Sequence, residues 1–351
     1  MSVHVPKAVV ALVASVLALG LTACGGASDK GSGTSAADEK KITVYSGRSE
    51  SLVKPLLDKF TQQSGIVVEA RYAATAAMAG QLLEEGDRSP ADAFFAQDAG
   101  ALGAVAKKGM FAPLSDEIVG QVPETYRAKS KEWVGITARS RVLVYNPDLV
   151  PKAELPTSVF DLTKPEWKGK VGVAPTNASF QAFVTAIVVQ HGEAKAKELL
   201  AGLKANEPQI RDGNGPILEE VNSGKLAVGL INHYYLGELA KEQGTTPDAL
   251  KAKLHFFPNG DSGALVNVAG VGVLKKAAEN PEVQTFVKYL LSADAQKYFA
   301  EETFEYPVVN GATPPAGVPA LSELRVPTVD LNELDQLEAT IALIKDSGLV
   351  P

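Results

Sequence analysis

The stretch ITVYSGRSESLVKPLLDKFTQQSGIVVEARY, residues 42–72, decides the fold class. Ile42 to Ser46 is a short run rich in β-branched and aromatic residues and reads as a strand. From about Ser49 to Gln63, Leu52, Leu56 and Phe60 fall on one stripe with Val53 and Leu57 beside it, which predicts an amphipathic helix. Gly65 stops it, and Ile66 to Tyr72 reads as a second strand. A helix near Thr75–Glu85, a strand at Asp92–Ala96 and a helix at Ala99–Lys108 follow at once. Two βαβ units in succession predict a parallel sheet with helices on both faces, an α/β fold.

Further along, strands are expected at Trp133–Ala138, Arg141–Tyr145 and Lys170–Ala174, and helices at Phe180–His191, Glu193–Lys204 and Gly215–Ser223. Leu226 to Ile231 is a wholly apolar strand of the buried kind. Leu265 to Leu274 is strand-like and precedes helices at about Pro281–Leu291 and Ala293–Glu301. Beyond the Pro- and Gly-rich Pro307–Pro319, a last amphipathic helix is expected on Leu331, Leu334, Leu337, Ile341 and Ile344. No internal repeat and no linker divides the chain. Two α/β lobes whose chain crosses between them more than once would account for that.

The N-terminus indicates the compartment. Lys7 is the only charged residue before position 24, and Ala8 to Leu21 is an almost unbroken apolar run. Such a run is too short for a bilayer, which needs roughly twenty residues, and it reads as a signal peptide over residues 1–23. It ends in Leu21-Thr22-Ala23-Cys24, which resembles the bacterial lipobox, in which the cysteine is lipidated. Cys24 is the only cysteine, so its lipidation leaves no disulfide and stability must come from the core. Residues 24–41 are rich in Gly, Ser, Ala and charge and read as a flexible tether. Without Lys7, the 34 basic residues become 33 against 41 acidic, a net charge of −8. An acidic chain without basic clusters argues against nucleic acid and against adhesion to anionic lipid, so membrane contact is expected through the anchor alone.

Catalytic motifs are look-alikes here. Gly260-Asp261-Ser262-Gly263 copies the segment around a trypsin-like nucleophile, but that chemistry needs a positioned His on a β-barrel. A loop turn is the better reading. No phosphate-binding Gly-rich loop ending in Lys-Ser/Thr occurs, and Gly47 lacks the spacing of a dinucleotide site. His191 and His255 stand alone in sequence, and no Cys/His cluster offers a zinc site. The chain is expected not to be an enzyme.

Two segments carry binding chemistry. Ile231-Asn232-His233-Tyr234-Tyr235 follows directly on the buried strand, at the carboxyl end where open α/β sheets bind ligands. The tyrosines could be core and rim aromatics, but the polar Asn232 and His233 beside them favour a site. Phenolate oxygen is a hard anionic donor suited to a hard cation such as Fe(III). In Pro175-Thr176-Asn177-Ala178-Ser179-Phe180 a strand gives way to a helix, whose first N–H groups can face an anion. An ordinary N-cap by Asn177 or Ser179 is the competing reading.

Val44-Tyr45-Ser46-Gly47-Arg48, Glu84-Glu85-Gly86-Asp87-Arg88-Ser89-Pro90-Ala91-Asp92, Arg139-Ser140-Arg141-Val142, Pro175-Thr176, Asn232-His233-Tyr234-Tyr235 and Gly263-Ala264-Leu265-Val266 occur in one order and spacing. Together they resemble the ferric binding protein family, the iron-binding components of bacterial ABC importers. The resemblance runs from about Ile42 to the C-terminus. It implies a two-lobed type 2 periplasmic-binding-protein fold with a ligand cleft between lobes. One lobe would be residues 42–138 plus 265–315, the other 139–264 plus 316–351. It implies Tyr234 and Tyr235 as Fe(III) ligands, and Asn177, Ala178, Ser179, Asn214 and Asn232 as the pocket of a synergistic anion such as carbonate, phosphate or citrate. Ser49, Gln97 and Asn177 stand where some members carry His, Glu and a third Tyr. Ser49, Gln97 and Asp98 are therefore cleft contributors to test. The resemblance further implies a monomer outside the plasma membrane, delivering to the permease and ATPase of its importer. The alternative is the same fold binding a small anion or organic solute without iron.

Overall fold

The computed structural model describes residues 40–350 of the chain. The expected signal peptide, Cys24 and almost all of the expected tether lie outside these residues. The first unit forms as expected: β1 (Lys41–Ser46), α1 (Glu50–Ser64), β2 (Val67–Tyr72), α2 (Thr75–Glu85), β3 (Ala93–Ala96) and α3 (Ala99–Lys107). Gly65 ends α1 in the left-handed region, at φ 72, where a residue without Cβ is unstrained. β1 pairs in parallel with both β2 and β3, as two successive βαβ units require.

The middle of the chain supplies β4 (Phe111–Ala112), α4 (Asp116–Val119), β5 (Val134–Tyr145), β6 (Val171–Val173), α5 (Ala178–His191), α6 (Glu193–Ala205), β7 (Gln209–Ile210), α7 (Asn214–Asn222), β8 (Val228–Asn232) and α8 (Tyr235–Glu242). The remainder holds β9 (Lys253–His255), β10 (Val266–Leu274), α9 (Pro281–Leu290), α10 (Ala293–Glu302), β11 (Tyr306–Pro307) and α11 (Leu337–Asp346). The main strand order is β2-β1-β3-β10-β5-β8-β6-β7.

β5 corrects the sequence reading. Two strands were expected, broken at Arg139-Ser140, yet twelve residues run as one buried strand. Val134 to Ser140 pair with β10, and Arg141 to Tyr145 pair with β8, with β9 also on this half. The polar residues interrupt the apolar pattern without interrupting the backbone, because their side chains find buried partners. β5 thus passes from one half of the sheet to the other at Ser140 and Arg141. The Arg141 N–H still donates to the Leu265 carbonyl at 2.8 Å, just ahead of β10.

The larger core includes Val44, Leu56, Phe60, Phe94, Leu102, Val271 and Phe286, and continues to Phe180, Phe183 and Leu199 under α5 and α6. A second core gathers Val142, Val144, Ile217, Val221, Ile231 and Leu239 between β5, α7 and α8. The final helix is shorter than expected. Leu331 and Leu334 are buried, but Leu331–Glu333 is a single 3-10 turn, capped by Asp330 accepting from the Asn332 N–H at 3.0 Å. The Leu334 carbonyl lies so close to Gly100 of α3 that a Cβ there would stand 2.5 Å from it. That docking takes the segment off a helical path, and α11 starts only at Leu337.

Candidate functional site

All five residues of β8 are buried, and the strand ends at Asn232. The His233 N–H donates to the Ser140 carbonyl at 3.0 Å, Tyr234 caps α8, and Tyr235 is its first residue. Both tyrosines therefore sit at the carboxyl end of a central strand. Their rings stack with centroids 4.4 Å apart and planes at 26°. Burial raises the Tyr234 hydroxyl well above its ordinary 10, with Tyr235 and Glu238 adding to the rise and Arg139 opposing it. Burial also raises Tyr235, against hydrogen bonding to Tyr234 and Asn214. Both are neutral phenols at pH 7, and only a strong cation beside the oxygens would turn them into phenolates. Among the described residues no group of three or more His, Cys, Asp or Glu comes together that could hold a metal ion.

Four of the five expected anion residues, all but Ala178, form one network through Arg141. The Asn177 side chain caps α5, accepting from the Ser179 N–H at 3.0 Å and from the Ser179 hydroxyl at 2.6 Å. The competing N-cap reading of Asn177 is thus met structurally. Ala178, half-buried, is the first residue of α5. The Ser179 Oγ accepts from Arg141 Nη1 at 3.1 Å and from Asn214 Nδ2 at 3.2 Å. Asn232 Oδ1 accepts from Arg141 Nη1 at 3.2 Å. Arg141 Nε, Asn214 Oδ1 and Asn232 Nδ2 are buried without a partner. Arg141 forms no ion pair among the described residues, and burial pulls its pKa down to about 10, with Tyr235 and Tyr234 pushing the other way. Arg141 Nη2 donates to the Leu230 carbonyl at 3.0 Å, so the guanidinium is hydrogen-bonded but has no counter-charge, and Arg141 Nε and Asn232 Nδ2 are the buried donors left for an acceptor.

A small cavity joins Gln97, Asp98, Arg139, Arg141, Ser179 and Asn232. Gln97 and Asp98 thus share a cavity with the residues of that network, whereas Ser49 is exposed at the start of α1 and does not line this cavity. Asp98 is committed to α3, accepting from the Ala101 N–H at 2.9 Å. Burial raises its carboxyl to about 6, against the backbone N–H groups of Ala101 and Gly100 and the Arg139 charge.

Behind the tyrosines lies an ion network that the sequence reading left without a role. Glu305 binds Arg48 through both oxygens, accepts from Arg139 Nη2 at 2.9 Å and takes the Thr137 and Thr303 hydroxyls at 3.1 Å. Glu238, one turn along α8, has its carboxyl raised to about 8, by burial first and then by Glu305. A signal for Arg139 and Arg141 was present: alternating charges inside an apolar strand share one face and must be paired or used. Glu305 and Glu238 carried no such signal.

His191, alone in sequence, is exposed and its Nε2 lies 2.8 Å from the Ser262 Oγ. Ser262 also donates to Gln190, while Asp261 accepts from the Gly263 and Val159 N–H groups. The Gly-Asp-Ser-Gly segment is the expected turn, with its Asp engaged by backbone. His255 holds the Pro156 carbonyl at 2.9 Å.

This site and fold define a class of solute-binding protein. Residues 88–337 match the family described as bacterial extracellular solute-binding protein, and the chain belongs to that family. The Fe(3+)-binding periplasmic protein of Serratia marcescens is 35% identical over 343 residues, covering 97% of each chain. Iron-bound HitA from Pseudomonas aeruginosa superposes with a TM-score of 0.83 at 34% identity, covering 88% of this chain and 99% of its own. The Trichodesmium protein IdiA (FutA), solved with iron and citrate ligands, gives a TM-score of 0.74 at 29% identity, covering 88% of this chain and all of its own. The α/β fold expected for a periplasmic binding protein holds, as does an extracytoplasmic family.

Proposed function

We propose that this chain is the extracytoplasmic receptor of an ABC importer, capturing Fe(III) between Tyr234 and Tyr235 together with a synergistic anion. It binds and delivers, without catalysis. The observation that carries the reading is the stacked tyrosine pair at the end of β8 beside an unpaired, buried Arg141. The pair supplies two hard anionic donors once deprotonated. Arg141, Ser179, Asn214 and Asn232 hold the anion that fills further iron positions. Citrate in the iron-bound Trichodesmium relative supports an oxyanion, and carbonate and phosphate have the same donor chemistry. The lobes meet at the β5 crossing, Gln97 and Asp98 face the cargo from the β3–α3 turn, and cargo passes to the importer's permease and ATPase. The protein acts as a monomer, held at the outer face of the plasma membrane by lipid on Cys24.

The test is spectroscopic. Ferric phenolate absorbs in the visible, so native protein loaded with Fe(III) should be red or orange. Tyr234→Phe and Tyr235→Phe each keep the ring and remove one ligand. Each should weaken the band and iron retention, and the double variant should abolish both. A double variant that stays coloured and holds iron refutes this reading and leaves a small anion or organic solute as cargo.

A further inference from the structure

α8 carries the tyrosine pair on its first turn but has only eight residues. Helices below about twelve residues are marginal alone, so contacts must set its position. α7 and the Pro247–Ala249 turn pack against it from its own half of the sheet. From the other half, Glu302 at the end of α10 pairs with Lys241 of α8, and Thr303 to Tyr306 follow it into β11. The His233 ring stacks on Tyr306 at 4.4 Å and 24°. One turn into α8, Gly237 lies against the Phe304 ring so closely that a Cβ there would stand 2.3 Å from Cγ. Only glycine admits that approach.

Phe304 is itself held in an unusual state. Its φ is 55, a left-handed conformation that is strained for a residue with a bulky side chain. Both flanks are fixed. Glu305 is bound by two buried arginines, and its N–H donates to the Phe299 carbonyl at 3.1 Å. Tyr306 pairs with Ala138 of β5, and its hydroxyl donates to the Pro319 carbonyl at 2.8 Å. The chain is thus bent into a knuckle that presses an aromatic ring onto the helix bearing the tyrosines.

We infer that Phe304 and Gly237 form a latch that positions Tyr234 and Tyr235, joining the α10–β11 side of the cleft to α8. This rests on the ferric reading for its effect on cargo, though the contact itself does not. The latch makes Phe304 a positioning residue for iron retention without touching iron.

Three full-length variants test it. Phe304→Gly removes the ring and the backbone strain together, Gly237→Ala adds one methyl to the contact, and Phe304→Tyr keeps the ring. In iron-free protein the α8 amides of the first two should exchange about tenfold faster or more than in the parent. After loading, both should show a shifted visible band and about tenfold faster iron loss to excess EDTA, with Phe304→Tyr at the parental rate. Unchanged α8 exchange in both variants overturns the latch. Faster exchange with parental iron loss reduces the contact to ordinary packing and also overturns it. Iron uptake by the parent protein judges the ferric reading separately, since exchange is read without metal.

Discussion

At the scale of single residues, the site is set by charges that water does not reach. A free tyrosine held as phenolate at pH 7 costs roughly 4 kcal/mol, and burial raises that cost for Tyr234 and Tyr235. A trivalent cation between both oxygens offsets it, and each phenol releases a proton on binding. Because the metal-free phenols titrate above neutrality, iron affinity should fall by up to about a hundredfold for each pH unit of acidification. In the proposed site, Arg141 is the charge that an anion would match. Replacing it by Met keeps the stem's volume and removes the cation, so the fold should hold. Iron titrations of Arg141→Met with and without carbonate, phosphate or citrate should then give nearly equal affinities, whereas the parent should gain at least about tenfold from the anion. An anion effect that survives the substitution would move the pocket elsewhere.

At the scale of elements, β5 and the segment after α10 hold the cleft together through Glu305. Burial alone would raise its carboxyl, but the Arg48 and Arg139 charges outweigh burial and bring it down to about 2. A carboxylate with a depressed folded value contributes stability that is complete above its ordinary 4.5 and is lost as pH falls towards 2. Glu305→Gln leaves two guanidiniums buried without their counter-charge, at a cost of about 3–5 kcal/mol. Urea unfolding at pH 7 should show that loss, and the variant's stability should depend less on pH between 5 and 2 than the parent's. Equal acid sensitivity would place the critical carboxylate elsewhere.

The same elements show what the sequence could convey. The βαβ units, the buried β8 and the tyrosines at its end were legible because periodicity and strand ends are local properties. Asn177 and Ser179 were legible as a helix start and Asn232 as a polar residue after the buried strand, Asn214 came from family resemblance alone, and the structure brings them to Arg141. The unbroken β5 was not legible. Arg139 and Ser140 look like a break unless Glu305, far along the chain, is known to neutralise the strand. α11 was misread for a related reason. Leu331 and Leu334 carry helical spacing, but a close approach to Gly100 spends it on a turn. Ser49, read as a cleft contributor, is exposed at the start of α1 and makes no side-chain cap bond there.

At the scale of the whole molecule, the question is how an acidic protein stays where an importer can use it. The sequence carries a net charge of −7, and no helix among the described residues is long and apolar enough to cross a membrane. The basic side chains of the surface are largely spent on neighbours, as Lys129 is on Asp330 and Lys288 on Glu117. Such a surface gains little from anionic lipid, whose attraction depends on clustered Lys and Arg. We propose that lipid on Cys24, the only cysteine of the chain, holds the protein at the membrane. One acyl chain gives marginal, reversible binding, and stable anchoring needs a second signal, which a diacylglyceryl cysteine provides. Cys24→Ala should leave the protein in the soluble extracytoplasmic fraction, lacking the mass of the lipid, with the ferric band and iron affinity of the parent. A variant that stays with membranes washed in high salt, at the mass of the parent, would show that another segment holds it.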